Sequence, residues 1–199
     1  VNIHDVAEVV NDGRPIVEQI FEAQRKLMDK YHEIEIANGL RLDVGIPVDI
    51  NSHKGQYVLK DFCWRVTEEL MESEEAHADG DHVHAREEAA DALHFLTELC
   101  ILSGMGCSDV AIVGHRGDYF SDESMDVVYH LGMAANCLKN KPWKQTQMLT
   151  DIVRYRDNII IAYQSMGRVF SSLKVDESGI FDFYFKKNKV NQFRQRSNY

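Results

Sequence analysis

Several features that would classify a chain at once are missing here. No apolar run among the 199 residues approaches the length of a membrane span, and the opening VNIHDVAEVVNDGRP has no basic flank leading into an apolar stretch. Neither an anchor nor a signal peptide is therefore expected. Basic charge is scarce: 22 Lys and Arg face 32 Asp and Glu, for a formal charge of −10. Phosphate backbones must be met by clustered Lys and Arg, so this balance argues against nucleic acid as the main partner. It suits acids that hold divalent cations, or simply a solubilising surface. The cysteines Cys63, Cys100, Cys107 and Cys137 show no CxxC spacing, which leaves a zinc site without a pattern. Free thiols in a reducing cytoplasm are the expectation. Period-two alternation is absent too, and with it any sign of a sheet.

What remains is helix. Hydrophobic content of 44% and charge of 27% are ordinary for a globular protein, and the length suits one domain over 1–199 with a sizeable core. Ile16, Ile20, Phe21, Leu27, Met28, Tyr31 and Ile34 recur at helical spacing, with Pro15 placed as a first-turn residue. Further helices are expected from about Tyr57 to His77 and from about His84 to Ser103. A fourth begins at SDES with Ser121 as cap, a fifth runs from about Thr146 to Leu173, and the last is IFDFYFKKNKVNQFRQ. The short connector ADGDHV between the second and third favours an antiparallel pair. The fold class expected is all-α, an antiparallel helical bundle.

Two of these helices carry acids three residues apart: Glu69 and Glu72, then Glu88 and Asp91. Residues at that spacing share one side of a helix, with Cβ atoms about 5–6 Å apart. If the two helices pack antiparallel, four carboxylates converge, and like charges so close repel unless a cation neutralises them. Oxygen-only ligation favours a hard ion, Mg²⁺ or Mn²⁺. A single ExxE is weak, since helices are rich in Glu and a solvated face explains it equally well. Asp91 beside an apolar line is less easily explained that way, because Asp is a poor helix former.

The last helix departs from the acidic character of the chain. Lys187, Asn191 and Arg194 fall at i, i+4 and i+7, with Asn188 and Gln195 flanking them. Arg offers a planar fork to phosphate oxygens, Lys a compact charge and Asn an amide donor. A polyphosphate lying between a cation on the acids and this strip has its charge met from both sides.

Together these motifs resemble the all-α NTP pyrophosphatase superfamily and, within it, the dimeric dUTPase branch that includes phage dCTPase/dUTPase enzymes. The resemblance rests on Glu69-x-x-Glu72 and Glu88-x-x-Asp91, on ADALHFLTELCILSGM, on NCLKNKPWKQT, and on a tail similar to KNxxNxxRQ at Lys187, Asn188, Asn191, Arg194 and Gln195. Where the family tail places a glycine before its tyrosine, this chain has Asn198 before Tyr199. The resemblance implies hydrolysis of a pyrimidine deoxynucleoside triphosphate, dUTP first and dCTP second, to the monophosphate and pyrophosphate. It implies several Mg²⁺ ions on Glu69, Glu72, Glu88 and Asp91, with Glu69 taking the proton of the attacking water. Lys187, Asn188, Asn191 and Arg194 then hold the phosphates, and a homodimer is implied as well.

For the base, Gln24 sits among Phe21, Leu27 and Met28, where an unpaired amide is costly, and its carboxamide can donate and accept as a pyrimidine edge requires. A core Gln bonded to backbone is the plain alternative. Trp64 is a candidate wall for the base, whereas Trp143 beside Pro142 reads as structural. Two rivals stay open. A di-iron bundle would use Glu-x-x-His motifs, imitated by Glu74-x-x-His77 and Asp91-x-x-His94. A helical protein that binds a nucleotide without cleaving it is the other. His77, His82 and His84 around the connector read as surface residues.

Overall fold

The computed structural model describes residues 3–40, 42–115 and 119–197. A short 3-10 helix (Ile3–Asp5) precedes six α-helices: α1 (Ile16–Ala37), α2 (His53–Ala78), α3 (His82–Leu102), α4 (Phe120–Cys137), α5 (Ile152–Ser172) and α6 (Glu177–Ser197). No strand occurs among the described residues, and none of their helices is long and apolar enough to cross a membrane. All four cysteines are free. Asn198 and Tyr199, where the tail departs from its family pattern, lie outside the described residues.

Caps account for most of the boundaries. Helix α2 starts four residues before the expected Tyr57 because Ser52 Oγ accepts from Gly55 N at 2.9 Å. Glycine is required at 55, since a Cβ there would lie 2.2 Å from the Asp49 carbonyl oxygen. Asp81 opens α3 by accepting from His84 N at 3.1 Å. Ser121 is not a cap: it lies inside the first turn of α4, and its hydroxyl donates to Glu74 Oε2 at 2.8 Å, tying α4 to α2. Helix α5 begins at Ile152 rather than Thr146, with Asp151 accepting from Arg154 N at 3.0 Å. Residues 146–151 form a loop because two asparagine side chains capture their backbone. Asn140 accepts from Met148 N and donates to Met148 O, while Asn51 Oδ1 accepts from Thr150 N. Trp143 is 78% exposed rather than structural, with Lys141 Nζ 5.9 Å from its ring centre.

Helices α2 and α3, joined by residues 79–81, pack as an antiparallel pair, and α4 packs along α5. Helix α3 also meets α1, α5 and α6, and from Ala92 onward it is buried nearly all round, as a central helix must be. Leu93, Leu96, Leu99 and Leu102 are fully buried, each stabilising the fold by about 1.5–3 kcal/mol. Hydroxyl pairs fix α3 against α5: Thr97 Oγ1 lies 3.1 Å from Tyr163 OH and Ser103 Oγ 2.8 Å from Tyr155 OH.

Ala85, Ala89 and Ala92 follow one another at helical spacing on α3, all fully buried. Ser73 Oγ of α2 donates to the Ala85 carbonyl at 2.6 Å. Substituting Ala89→Leu overfills this packing. A loss of about 1–3 kcal/mol is expected in denaturant unfolding.

Candidate active site

Closing α2 on α3 places three acids in one cluster. Glu69 on α2 and Glu88 and Asp91 on α3 each offer a carboxylate oxygen within 4.8 Å of the others. Burial pushes Glu69 up to about 8, helped by the charges of Asp91, Glu88 and Glu72. Glu88 is also raised, by burial above all. Asp91 Oδ1 is buried with no hydrogen-bond partner among the described residues. Oxygen donors only, mutual repulsion and an unpaired buried oxygen are what a divalent cation requires, so the residues fit one. Glu72 is exposed and stands outside the three-acid cluster, but its charge reaches Glu69.

Helix α6 supplies the opposing charge. Lys187 Nζ lies 2.6 Å from Asp91 Oδ2 and 3.8 Å from Glu88 Oε1. Burial works against the lysine charge, yet the two acids offset it and its pKa stands above the ordinary value. One turn on, Asn191 and Arg194 line the cleft, and Gln195 Nε2 donates to the Leu27 carbonyl at 2.9 Å, fastening the tail to α1. Asn188 behaves differently. It is buried, its Oδ1 accepts from Gln192 Nε2 at 2.7 Å, and its Nδ2 has no partner among the described residues.

From the acids a cavity of about 250 Å³ runs to Gln24. The amide of Gln24 is 2% exposed and bonds to side chains, not to backbone: Nε2 donates to Glu98 Oε2 at 2.9 Å and Oε1 accepts from Tyr184 OH at 2.9 Å. His32 Nε2 lies 2.5 Å from Glu98 Oε1. Tyr184 stacks on His94 with centroids 3.9 Å apart. Burial holds His94 down to about 4, so the ring is neutral; its Nδ1 meets the Ala90 carbonyl at 2.8 Å, and its Nε2 is buried with no partner among the described residues. Arg65 lines the outer part of the cavity, its guanidinium 4.7 Å from the Phe62 ring centre and hydrogen-bonded to Glu35 at 2.9 Å.

Trp64, expected as a wall for the base, is 61% exposed and does not line this cavity; Arg65, Phe95 and Tyr31 do. Sequence reading missed Glu98, His32, His94 and Arg65 as site residues. The available signal was Glu98 itself, a lone carboxylate in the apolar run FLTELCIL. The two Glu-x-x-His imitations do not meet in one centre. Glu74 bonds to Ser121 and His77 packs on Phe120 and His82, whereas His94 faces Tyr184.

The deciding comparison concerns the helices from α3 to α6, which carry part of this site. A sequence model described as dUTPase matches residues 74–199, well over half of the chain. The chain belongs to the dUTPase family. The match takes in Glu88, Asp91, His94, Glu98 and the whole α6 strip, and the six strand-free helices agree with that all-α family. No match to a curated protein or to a solved structure was found. Hydrolysis of dUTP is the chemistry the family brings, generally with a divalent metal, and an acid cluster is present in this structure.

A carboxyl whose pKa is raised on folding stabilises the folded state below its unfolded value, and that contribution is lost as pH rises through its folded value. For Glu69 the window runs from its ordinary 4.5 to about 8. Without divalent cation, the Tm is expected to fall across this window. Glu69→Gln should flatten the fall, and an equal slope in the variant would assign the trend to other groups.

Proposed function

We propose that this chain hydrolyses dUTP to dUMP and pyrophosphate, with dCTP as the second candidate substrate, using Mg²⁺, replaceable by Mn²⁺. The observation that carries the reading is a single cleft with an acid cluster at one end and a buried carboxamide at the other. Glu69, Glu88 and Asp91 would hold the cation, with Glu72 as an outer, water-exposed ligand. When bound, such a cation neutralises phosphate charge and acidifies water. Lys187 already points at Asp91 and lies where it can turn to a phosphate oxygen, while Asn191 and Arg194 meet the chain of phosphates from α6. Glu69 accepts the proton of the attacking water, which adds across the bond between the α- and β-phosphates. Gln24 reads the pyrimidine edge, and Asn188, whose buried Nδ2 has no partner among the described residues, adds a donor to the phosphate strip.

The same reading includes a homodimer. Tyr57, Trp64 and Met71 recur every seven residues on α2 and are 56%, 61% and 40% exposed, an apolar stripe next to Arg65 of the cleft. A second copy packed on this stripe gives Trp64 a role outside the base pocket. Sedimentation should show twice the chain mass, reduced to one by Trp64→Glu; a monomeric wild type would remove the dimer from the account.

Pyrophosphate release from dUTP should need Mg²⁺ and stop with EDTA. Loss of a general base typically costs 10²–10⁴-fold, so Glu69→Gln should lower kcat by about that factor with the fold intact. A folded wild type that releases no pyrophosphate from any pyrimidine deoxynucleotide would sink the reading.

A further inference from the structure

We propose that Glu98, braced by His32, sets the choice between uracil and cytosine by fixing which way the Gln24 carboxamide points. This rests on the reading of the cleft as a pyrimidine deoxynucleoside triphosphate site. Uracil presents an acceptor at O4 beside a donor at N3; cytosine presents a donor at N4 beside an acceptor at N3. A glutamine free to turn over by 180° suits either base, because its amide offers one donor and one acceptor side.

Gln24 is not free to turn. Its Nε2 donates to Glu98 Oε2 and its Oε1 accepts from Tyr184 OH, both at 2.9 Å. An ionised carboxylate accepts only, so the flipped amide would set two oxygens face to face. Gln24, His32, Glu98 and Tyr184 are all buried, and an unmet polar pair is costly there. A tyrosine hydroxyl can exchange its donor and acceptor roles; a carboxylate cannot. Glu98 is thus the selector, and His32, 2.5 Å from its other oxygen, keeps it in place. The second N–H and second lone pair of Gln24 face the base in one register only. Membership of the dUTPase family makes uracil the base that fits it.

The test compares kcat/KM for dUTP and dCTP in wild type, Glu98→Gln and Tyr184→Phe, with thermal unfolding of each. Glu98→Gln keeps the shape but can offer either N–H or C=O, so the dUTP-to-dCTP ratio should fall at least tenfold, mainly through KM. Tyr184→Phe removes a bond to the same amide yet leaves Glu98, so its ratio should stay within about threefold of wild type. A purely structural role predicts equal falls in both variants or none in Glu98→Gln, and either result overturns the proposal. If Glu98→Gln does not fold, His32→Gln replaces it: the ratio should drop threefold or more, and an unchanged ratio overturns the proposal. If wild type cleaves neither nucleotide, the catalytic reading fails separately, and calorimetry with dUMP and dCMP decides this one. A preference abolished in Glu98→Gln supports it; absent binding or absent preference overturns it.

Discussion

Everything in this molecule that bears on chemistry depends on how closely α2 and α3 approach. The two helices form an antiparallel pair tied by Ser73 to the Ala85 carbonyl, and the meeting brings Glu69 to Glu88 and Asp91. The fold gains apolar burial along the seam and loses part of that gain to repulsion among carboxylates. Glu69 answers by holding its proton near neutral pH, and Asp91 by taking Lys187 from α6. Such a cluster is poorly satisfied by the protein alone. A divalent cation satisfies it better, so the site is stored instability of the kind that binding sites carry.

Helix α6 turns this cluster into one end of a cleft. Its inner face is pinned by Tyr184 to Gln24 and by Gln195 to the Leu27 carbonyl, so Lys187, Asn191 and Arg194 hang from a rigid support. At the far end, His32, Glu98, Gln24 and Tyr184 form a connected buried network whose members share their hydrogen bonds. Networks of this kind specify one arrangement, because breaking any member leaves a buried group unpaired. The cleft thus combines an end where carboxylates repel one another with an end whose buried amide and carboxylate are hydrogen-bonded.

The helices were legible from periodicity because their apolar faces must repeat at 3.6 residues, and the acid pairs because spacing of three is local. Boundaries failed where side chains distant in sequence intervened. Thr146 to Thr150 has no helix breaker, and only Asn51 and Asn140 show why it is a loop. The Gln24 end of the cleft was half legible. Gln24 stood out as an amide among apolar residues, but its partners lie 74 and 160 residues away, beyond any local pattern. Trp64 misled because its size suggested a wall; its register on α2 turns it outward, while Arg65 beside it faces the cleft.

On the function proposed above, Lys187, now 2.6 Å from Asp91, gives up that place to a cation and turns to a phosphate when substrate enters. A crystal structure with Mg²⁺ and the non-hydrolysable α,β-imido analogue of dUTP tests it most directly. The account predicts Mg²⁺ between Glu69, Glu88 and Asp91, with Lys187 moved from Asp91 to a phosphate oxygen and the uracil edge on Gln24. A nucleotide bound elsewhere, or Lys187 still paired with Asp91 and no metal at the acids, would contradict it.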